Sequence, residues 1–278
     1  MNTTIGQWLR SPSFSSYCDR EYILQHVLNK SKSEIYLLWE QTLPKNQLKK
    51  CSDILFRHEK GEPLAYILGE VEFYSDTFFT DAKVFIPRPE TEILVESVLN
   101  YYQNSYPRHF VDFGCGSGSI GLSLLKRWPK SQLLAVDTNR YALNLTLKNA
   151  GKFKLEKRIH LCFQNIIDLE IKHPIQLITA NPPYIAKGDV GLQPAVEKYE
   201  PETALFSEWS GLKAICTWLD KACSILSKEG GNYFFEIGYN QYEEVKNILK
   251  NKHLVKYFTS YKDYQGYKRV IHCSVKRK

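Results

Sequence analysis

One stretch limits the possible folds of this chain more than any other. Residues 175–180 form an apolar run with the length of a buried strand, and the run stops at Asn181-Pro182-Pro183-Tyr184. The two prolines fix φ near about −65° and donate no backbone hydrogen bond, and Asn181 is held extended because a proline follows it. The sequence therefore predicts a stiff turn at the carboxyl end of a strand, which is where open α/β sheets bind ligands.

The chemistry of these four residues suits a substrate with a planar nitrogen. The lone pair of an amide or exocyclic amine nitrogen is delocalised, so a methylating enzyme must hold the NH2 group and aim the lone pair at the methyl donor. The side-chain oxygen of Asn181 and the carbonyl of Pro182 are suited to accept the two hydrogens. The ring of Tyr184 is suited to cover the flat group.

A plain structural role is the alternative, because asparagine before proline is also typical of a rigid turn. The complete Asn-Pro-Pro-Tyr sequence, directly after an apolar strand, favours the site. It resembles the motif of methyltransferases that modify planar amines with S-adenosylmethionine. These include enzymes that modify adenine in DNA and enzymes that modify a glutamine of release factors.

A glycine-rich loop follows an earlier apolar strand. That strand is predicted at residues 110–113, and Gly114-Cys115-Gly116-Ser117-Gly118 lead from it into a helix predicted at 119–128. Glycines let the backbone approach a ligand closely, and the start of the helix offers free N–H groups. The next predicted strand ends at Asp137, where an acid can bind ribose hydroxyls. Asp112 is expected to orient the loop or the amino-acid end of a cofactor.

The glycine loop does not identify the cofactor by itself. Gly116, Gly118 and Gly121 also match the dinucleotide fingerprint, so the loop and Asp137 fit a nicotinamide dinucleotide or S-adenosylmethionine. The turn at Asn181 favours S-adenosylmethionine over a nicotinamide dinucleotide, because it serves methyl transfer to an amine and has no role in hydride transfer.

The first eighty residues carry helical patterns and no group of catalytic side chains, which indicates a binding module. Two short strands at 78–79 and 84–86 are predicted to form a hairpin. Short helices are predicted at 5–9, at 21–28, after an N-cap at Ser33, and at 46–60.

Composition argues against several classes of protein. No apolar run approaches the roughly 20 residues of a membrane span. The seven cysteines lack paired spacing and neighbouring histidines, which favours a reduced cytoplasmic protein without structural zinc. Residues 1–80 carry a net charge of −1 and residues 81–278 carry +8. The basic part favours an anionic macromolecular partner, or is simply a solvated, lysine-rich surface.

Further segments indicate which branch of these methyltransferases the chain resembles. Gly61-Glu62-Pro63 and Ala65-Tyr66 precede a Phe-Tyr pair at 73–74, and Ile86-Pro87-Arg88-Pro89-Glu90-Thr91-Glu92 follow. With the turn at Asn181 in the expected order, these segments resemble the PrmC/HemK family of release factor glutamine methyltransferases. Residues 199–205 and 263–269 are also similar to the family, so the resemblance covers most of the chain.

The alternation of strands and helices predicts an α/β protein with a doubly wound sheet that ends in an antiparallel hairpin. The resemblance implies a mostly parallel, seven-stranded sheet of the class I methyltransferase type, preceded by a small helical bundle. We expect a helical substrate-docking domain at 1–69, a β-hairpin linker at 70–87 and a methyltransferase domain at 88–278.

The implied reaction is methylation of the glutamine side-chain amide in the Gly-Gly-Gln loop of peptide chain release factors. The resemblance gives Asn181, Pro182 and Tyr184 catalytic roles, with Pro183 beside them at the substrate. No metal is expected. We expect a monomer whose partner is the release factor, with no membrane and no requirement for direct nucleic-acid binding.

The implied cofactor is S-adenosyl-L-methionine. Where the family has an acid and an apolar or aromatic residue against the adenine, this chain has Asn165 and Ile166, which are expected to bind its amine and to pack on its ring. The remaining cofactor contacts are expected from Asp112, Gly114, Cys115, Gly116, Ser117, Gly118, Asp137 and Asn181.

Three other functions fit the sequence less well. A nucleic-acid amine methyltransferase would account for the basic part of the chain, but no target-recognition domain large enough to read or flip a base is evident. The same fold used as an inactive binding protein is disfavoured by the complete motif at Asn181. A nicotinamide oxidoreductase is disfavoured by the same motif.

Overall fold

The computed structural model describes residues 3–11, 16–103, 105–189, 191–226 and 228–278. The chain divides into two compact units. One comprises Met1–Glu70 with Gln193–Tyr199, and the other comprises Val71–Leu192 with Glu200–Lys278.

The first unit is helical and has its own apolar core. Its N-terminal helices are α1 (Ile5–Arg10), α2 (Tyr17–Leu28), α3 (Lys32–Leu37), α4 (Lys45–Glu59) and α5 (Leu64–Leu68). The side chains of the core are fully or almost fully buried: Ile5, Trp8, Leu9, Ile23, Leu24, Ile35, Leu43 and Cys51.

The predicted N-cap at Ser33 is wrong, because α3 begins two residues earlier. Ser31 caps it in a reciprocal capping box with Glu34, whose carboxylate accepts from the Ser31 N–H at 2.8 Å. The acid must stand three residues after the cap, and this spacing is met from Ser31, whereas three residues after Ser33 stands Tyr36.

The remaining elements follow in chain order, and the helix Pro194–Tyr199 among them groups with the first unit. They are β1 (Glu70–Phe73), β2 (Asp76–Phe79), α6 (Glu92–Tyr101), β3 (His109–Phe113), α7 (Ser119–Arg127), β4 (Gln132–Asp137), α8 (Arg140–Lys152), β5 (Ile159–Phe163), β6 (Leu177–Ala180), α9 (Pro194–Tyr199), α10 (Glu202–Leu205), α11 (Lys213–Leu226), β7 (Gly231–Glu236), α12 (Tyr242–Lys250), β8 (Val255–Lys262) and β9 (Lys268–Val275).

The hairpin lies earlier than its predicted strands. β1 and β2 pair as a two-stranded sheet, and the turn between them is formed by Tyr74 and Ser75, both with positive φ, at 51° and 63°. Such a turn matches strand twist but is usually built from Asn and Gly, so the sequence carries no obvious turn signal. The predicted strand at 84–86 is instead a segment without regular structure.

The large sheet has the order β5-β4-β3-β6-β7-β9-β8 and confirms the predicted doubly wound, mostly parallel, seven-stranded architecture. β9 is antiparallel to β7 and β8, and the other pairings are parallel. From β3 the chain moves outward to β4 and β5, then returns to place β6 on the other side of β3. β3 and β6 therefore flank the switch point, where such sheets bind ligands.

Both faces of the sheet are covered, so most residues of the central strands are buried. Along β3, Val111 and Phe113 pack into one core cluster with residues of α11, while Phe110 packs into another with residues of α6 and α7. The apolar runs seen in the sequence therefore extend without polar alternation, as parallel strands buried on both faces require.

The register sets the positions of the sequence motifs. Phe113 lies beside Val136 on one side and Ala180 on the other. The residues that follow these three are Gly114, Asp137 and Asn181, so they emerge at the same edge of the sheet. Among the described residues, no helix has both the length and the apolar character needed to span a membrane.

Candidate active site

The glycine loop after β3 depends on backbone conformations that other residues rarely adopt. Gly114 and Gly118 have φ of 63° and 81°. A Cβ atom on Gly114 would lie 2.6 Å from the Trp218 ring, and one on Gly118 would lie 2.8 Å from the methyl of Thr146. The loop is anchored on β4 by the Cys115 N–H, which donates to the Val136 carbonyl at 3.1 Å. The shape of the loop thus requires glycine at both positions.

The two side chains of the loop point inward. Cys115 is buried, its Sγ lies 3.5 Å from Thr146 Oγ1, and burial raises the pKa of its thiol well above the ordinary value. Ser117 is 2% exposed, and its hydroxyl has no hydrogen-bond partner among the described residues. The loop can therefore meet a ligand through its backbone, and the Ser117 hydroxyl is an unsatisfied polar group beside it.

Asp112 stabilises the start of α7 and joins β3 to β6. It is 1% exposed, and its carboxylate accepts from the Gly121 N–H at 3.1 Å and from the Thr179 hydroxyl at 2.7 Å. Burial raises the pKa of Asp112 to about 7, although both hydrogen bonds act in the opposite direction. These contacts agree with an orienting role, and direct contact with a cofactor stays a prediction.

Asp137 stands at the end of β4 and faces the glycine loop. One carboxylate oxygen accepts from the Gly116 N–H at 3.0 Å and the other from the Asn139 N–H at 2.8 Å. Burial raises the pKa of Asp137, and these backbone bonds oppose the shift. The side chain is only partly buried, and each oxygen keeps a second lone pair. Asp137 can therefore accept hydrogen bonds from vicinal hydroxyls.

The pair predicted at the end of β5, Asn165 and Ile166, takes part in local structure. The Asn165 side-chain oxygen accepts from the Ile167 N–H at 3.1 Å and caps a short 3₁₀ turn. Ile166 packs in the core with residues of β3, β6 and α11 at 4% exposure, whereas Ile167 is 53% exposed. An isoleucine is available for an apolar contact at this edge, and the exposed one is Ile167. The roles of Asn165 and Ile166 at an adenine ring stay predictions.

The turn after β6 is held by side chains from distant segments. The Asn181 amide nitrogen donates to Thr91 Oγ1 at 3.2 Å, so the amide oxygen lies on the side away from Thr91. The Tyr184 hydroxyl donates to Glu236 Oε1 at 2.8 Å. Gln241 fixes the end of the motif by donating from Nε2 to the Tyr184 carbonyl at 2.9 Å.

The Tyr184 phenol is a hydrogen-bond donor and not a base. Burial, followed by the neighbouring Glu236 carboxylate, raises the pKa of Tyr184 well above its ordinary value. The proton therefore stays on the hydroxyl at neutral pH. What the side chain offers a ligand is the aromatic face of its fixed ring.

Sequence reasoning missed the residues that hold this turn. Thr91 is 2% exposed and belongs to the 86–92 segment, in which the sequence assigns it no role of its own. Glu236 is 1% exposed and ends β7, the strand beside β6. A buried acid at the carboxyl end of a strand is a usable signal, but only once the strand order is known.

The same segment is tied down by a buried ion pair. Arg88 donates to Glu200 Oε1, and the Ile86 N–H donates to Glu200 Oε2 at 3.3 Å. The Glu200 side chain is 1% exposed and that of Arg88 is 28% exposed, so removing Arg88 would leave the Glu200 carboxylate buried without its charged partner. This pair joins the segment that contains Thr91 to the residues preceding α10.

The candidate site lies at one edge of the sheet. One edge of the sheet brings together the backbone of the glycine loop, the acceptor oxygens of Asp137 and the Asn181 turn. The predicted residues 112–118, 137 and 181–184 thus lie at one switch point, while Asn165 lies two strands away. No cluster of metal-ligating side chains occurs among the described residues.

Two protein families match the sequence in separate segments. The PrmC N-terminal domain matches residues 13–69, and the methyltransferase small domain matches residues 77–197.

Individual proteins match over nearly the whole chain. A release factor glutamine methyltransferase of Dictyoglomus turgidum is 32% identical over 261 residues, which cover 92% of this chain and 90% of that protein. One of Buchnera aphidicola subsp. Schizaphis graminum is 33% identical over 272 residues, covering 96% and 97%.

A solved structure shares the fold. The hMettl16 catalytic domain in complex with an RNA hairpin superimposes with a TM-score of 0.56 over 72% of this chain and 77% of that chain. The sequence identity is 15%, so the likeness concerns the fold alone.

Proposed function

Because this chain belongs to the family of release factor glutamine methyltransferases, we propose that it methylates the glutamine side-chain amide in the Gly-Gly-Gln loop of peptide chain release factors. The observation that carries the proposal is the turn at Asn181. It stands beside the glycine loop at the switch point, with its amide oriented by Thr91 and its tyrosine held by Glu236.

We assign S-adenosylmethionine to the glycine loop and Asp137. The fit rests on the free lone pairs of Asp137 and on the Ser117 hydroxyl, which is buried and has no hydrogen-bond partner in the part of the chain that the structure describes. Asp137 would accept from the ribose hydroxyls, and Asn165 with Ile166 would contact the adenine. Bound there, the cofactor supplies an electrophilic methyl group on a sulfonium.

The residues of the turn orient the amide nitrogen for in-line attack. Asn181 Oδ1 and the Pro182 carbonyl accept the two amide hydrogens, so the plane of the amide is fixed and its nitrogen lone pair is directed at the methyl group. Pro183 stiffens the turn, and the Tyr184 ring covers the amide. Well-oriented intramolecular reactions reach effective molarities of roughly 10⁵ M or more, so positioning supplies much of the rate.

No side chain is required as a strong base. Asp112 is 1% exposed and its carboxylate accepts from Gly121 and Thr179, and Glu236 is 1% exposed and accepts from Tyr184. The amide nitrogen becomes acidic once it carries the new methyl group, so its proton can leave to water after the transfer. We therefore expect catalysis by orientation, with the turn excluding water from the amide.

A methyl-transfer assay tests the proposal. Purified protein with methyl-labelled S-adenosylmethionine is expected to label an intact release factor, and peptide mapping should place the label on the glutamine of the loop. A release factor with Ala in place of that glutamine is the matched control and should stay unlabelled. Label in DNA or RNA instead of the release factor would identify a nucleic-acid amine methyltransferase and contradict the proposal.

We further propose that residues 1–69 dock the release factor, with 70–87 as a linker and 88–278 as the catalytic domain of a cytoplasmic monomer. Large apolar side chains stand exposed on the helical unit, among them Leu37 at 84% and Phe56 at 62%. Leu37→Ser and Phe56→Ser should raise the KM for intact release factor while leaving the KM for a short Gly-Gly-Gln peptide unchanged. Leu147→Ser, on α8 at 45% exposure, is the control, and equal effects from all three variants would contradict docking.

A further inference from the structure

A loop beside the Asn181 turn has an unusual backbone. Trp209 and Ser210 have φ of 56° and 55°, and Gly211, which follows them, has φ of 88°. Positive φ is uncommon for residues other than glycine, and for a bulky residue such as tryptophan it is an outlier. Such conformations persist only where the surrounding structure fixes them, and they cluster at functional sites. The position of Trp209 is therefore a candidate for a functional role.

The chain on both sides of Trp209 is tied to the turn. A Cβ atom on Gly211 would lie 2.1 Å from the Tyr184 carbonyl oxygen, so the two backbones are in direct contact. Before Trp209, the Ile185 N–H donates to the Leu205 carbonyl at 3.0 Å. The Ser207 N–H then donates to the Ile185 carbonyl at 2.9 Å. The loop thus borders the turn at its Tyr184 end.

The loop also holds its own shape. The Leu212 N–H donates to the Trp209 carbonyl at 3.1 Å, and the Lys213 N–H donates to the Glu208 carbonyl at 3.1 Å. The Lys213 ammonium pairs with the Glu208 carboxylate at 2.8 Å. Because its backbone is already fixed, Trp209 is a preorganised contact that loses little conformational freedom when a ligand binds.

The Trp209 ring is available for a ligand. It is 62% exposed, and within the described part of the chain no aromatic ring stacks on it and no cation lies over it. Other exposed rings at this edge of the sheet are engaged. Phe163 lies 4.6 Å from the Arg140 guanidinium, and Tyr239 packs edge to face against Tyr267 at 5.6 Å. An unengaged tryptophan on a rigid loop is typical of a binding contact.

The proposed substrate determines what this ring can contact. When the glutamine side chain enters the turn at Asn181, the backbone next to that glutamine stays outside, along the border of the turn. Two glycines precede the glutamine in the Gly-Gly-Gln loop, and a residue without Cβ allows close approach to its backbone. A flat aromatic face can pack on such a backbone, whereas a side chain there would hold the ring away.

We propose that Trp209 is a specificity-determining residue, whose ring packs on the two glycines before the methylated glutamine and so selects a glycine-rich segment. The inference rests on the proposed function for the identity of the substrate. Because the Asn181 turn orients the amide itself, substitution of Trp209 should change KM and the choice of substrate more than kcat.

Methylation of two short peptides measures this selection. One contains Gly-Gly-Gln and the other Ala-Ala-Gln in the same flanking sequence, and wild type should have the higher kcat/KM on the first. Trp209→Ala should lower kcat/KM on the Gly-Gly-Gln peptide by about 10-fold, mainly through KM, and should reduce the preference by a similar factor. Trp209→Phe should stay within about threefold of wild type, because it keeps an aromatic face.

Tyr257→Ala is the matched control for these kinetics. It removes a ring that is 43% exposed on β8, three strands away from β6, and should change neither KM nor the preference. An unchanged KM and an unchanged preference in Trp209→Ala would overturn the inference, as would equal effects from Tyr257→Ala.

Trp209→Gly separates recognition from a structural role. Glycine adopts a φ near 56° without strain, and the ring that it removes is exposed. The melting temperature should therefore stay the same or rise, while KM for the Gly-Gly-Gln peptide rises as in Trp209→Ala. A lower melting temperature in Trp209→Gly would show that the ring supports the fold and would contradict the inference.

Calorimetry with the Gly-Gly-Gln peptide tests the contact without turnover. The dissociation constant should be similar for wild type and Trp209→Phe and about 10-fold higher for Trp209→Gly. If this pattern is found but wild type transfers no methyl group to release factor, the contact is supported and only the proposed function is rejected. Equal dissociation constants for the three proteins would reject the contact, even if wild type methylates release factor.

Discussion

The two strand ends at the switch point obtain their geometry by different means. At the end of β3 the glycine loop is shaped by its own backbone conformations and by hydrogen bonds to partners nearer in the sequence, such as Asp137, which is 21 positions from Gly116. At the end of β6, Asn181 is held by a residue 90 positions away and Tyr184 by one 52 positions away. The cofactor end is thus encoded more locally than the substrate end, whose two polar side chains are held by distant residues.

The comparison predicts that substitutions at the two strand ends affect different steps, namely catalysis at the end of β6 and cofactor binding at the end of β3. Asn181→Ala leaves the glycine loop and Asp137 intact, so the dissociation constant for S-adenosylmethionine should change little. kcat for release factor methylation should fall by roughly 10² or more, because the amide loses the contact that orients it. Calorimetry and single-turnover kinetics measure the two quantities separately.

Asn181→Asp is the matched variant for this prediction. It keeps the shape of the side chain and an acceptor oxygen, so it should retain more activity than Asn181→Ala. A wild-type rate in Asn181→Ala at saturating cofactor would show that the Asn181 side chain has no role in catalysis.

Asp137→Ala should show the opposite behaviour. The ribose loses a charged acceptor, which contributes roughly 1.5–3 kcal/mol and corresponds to about a 10- to 100-fold weaker dissociation constant. At saturating cofactor kcat should stay near wild type. Unchanged affinity by calorimetry would show that Asp137 only supports the loop through Gly116.

The same contrast explains what the sequence could predict. The strands before Gly114 and Asn181 were found because apolar runs and their breakers are local signals. The hairpin was misplaced because Tyr74 and Ser75 adopt positive φ without the glycine that usually marks such a turn. The hydrogen bond from Asn181 to Thr91 could not be predicted from the sequence, because the two residues meet only through the register of the folded sheet and the course of the chain before α6.

Asn165 offers a smaller test at the cofactor end. Its side-chain oxygen already accepts from the Ile167 N–H, and an aspartate would keep that cap while offering the adenine amine a charged acceptor. Charge-assisted hydrogen bonds are roughly twice as strong as neutral ones, so Asn165→Asp should tighten S-adenosylmethionine binding by several-fold, with kcat unchanged.

Asn165→Ala is the control for that variant and should weaken binding. If both substitutions leave the dissociation constant unchanged, Asn165 serves only the 3₁₀ turn. The adenine would then lie elsewhere along the edge, and the exposed Ile167 would be the next residue to replace.

The smallest expected effect concerns Asp112, which joins the two ends through Thr179. Because burial raises the pKa of Asp112 to about 7, the carboxyl holds its proton more tightly in the folded protein than in the unfolded chain, where the pKa is about 3.9. Its contribution to stability is therefore complete below about pH 4 and is lost as the pH rises through about 7.

Asp112→Asn removes this ionisation while keeping the hydrogen bonds satisfied. The amide oxygen can accept from the Gly121 N–H, and its NH2 group can donate to Thr179, whose hydroxyl already lies 3.4 Å from the Val111 carbonyl. The melting temperature of the variant minus that of wild type should therefore rise between about pH 4 and about pH 7 and level off above. A difference that stays constant over this range would mean that Asp112 is ionised throughout. The carboxylate would then be stabilised by its two hydrogen bonds more strongly than burial opposes it, and the link between β3 and β6 would be a charged one.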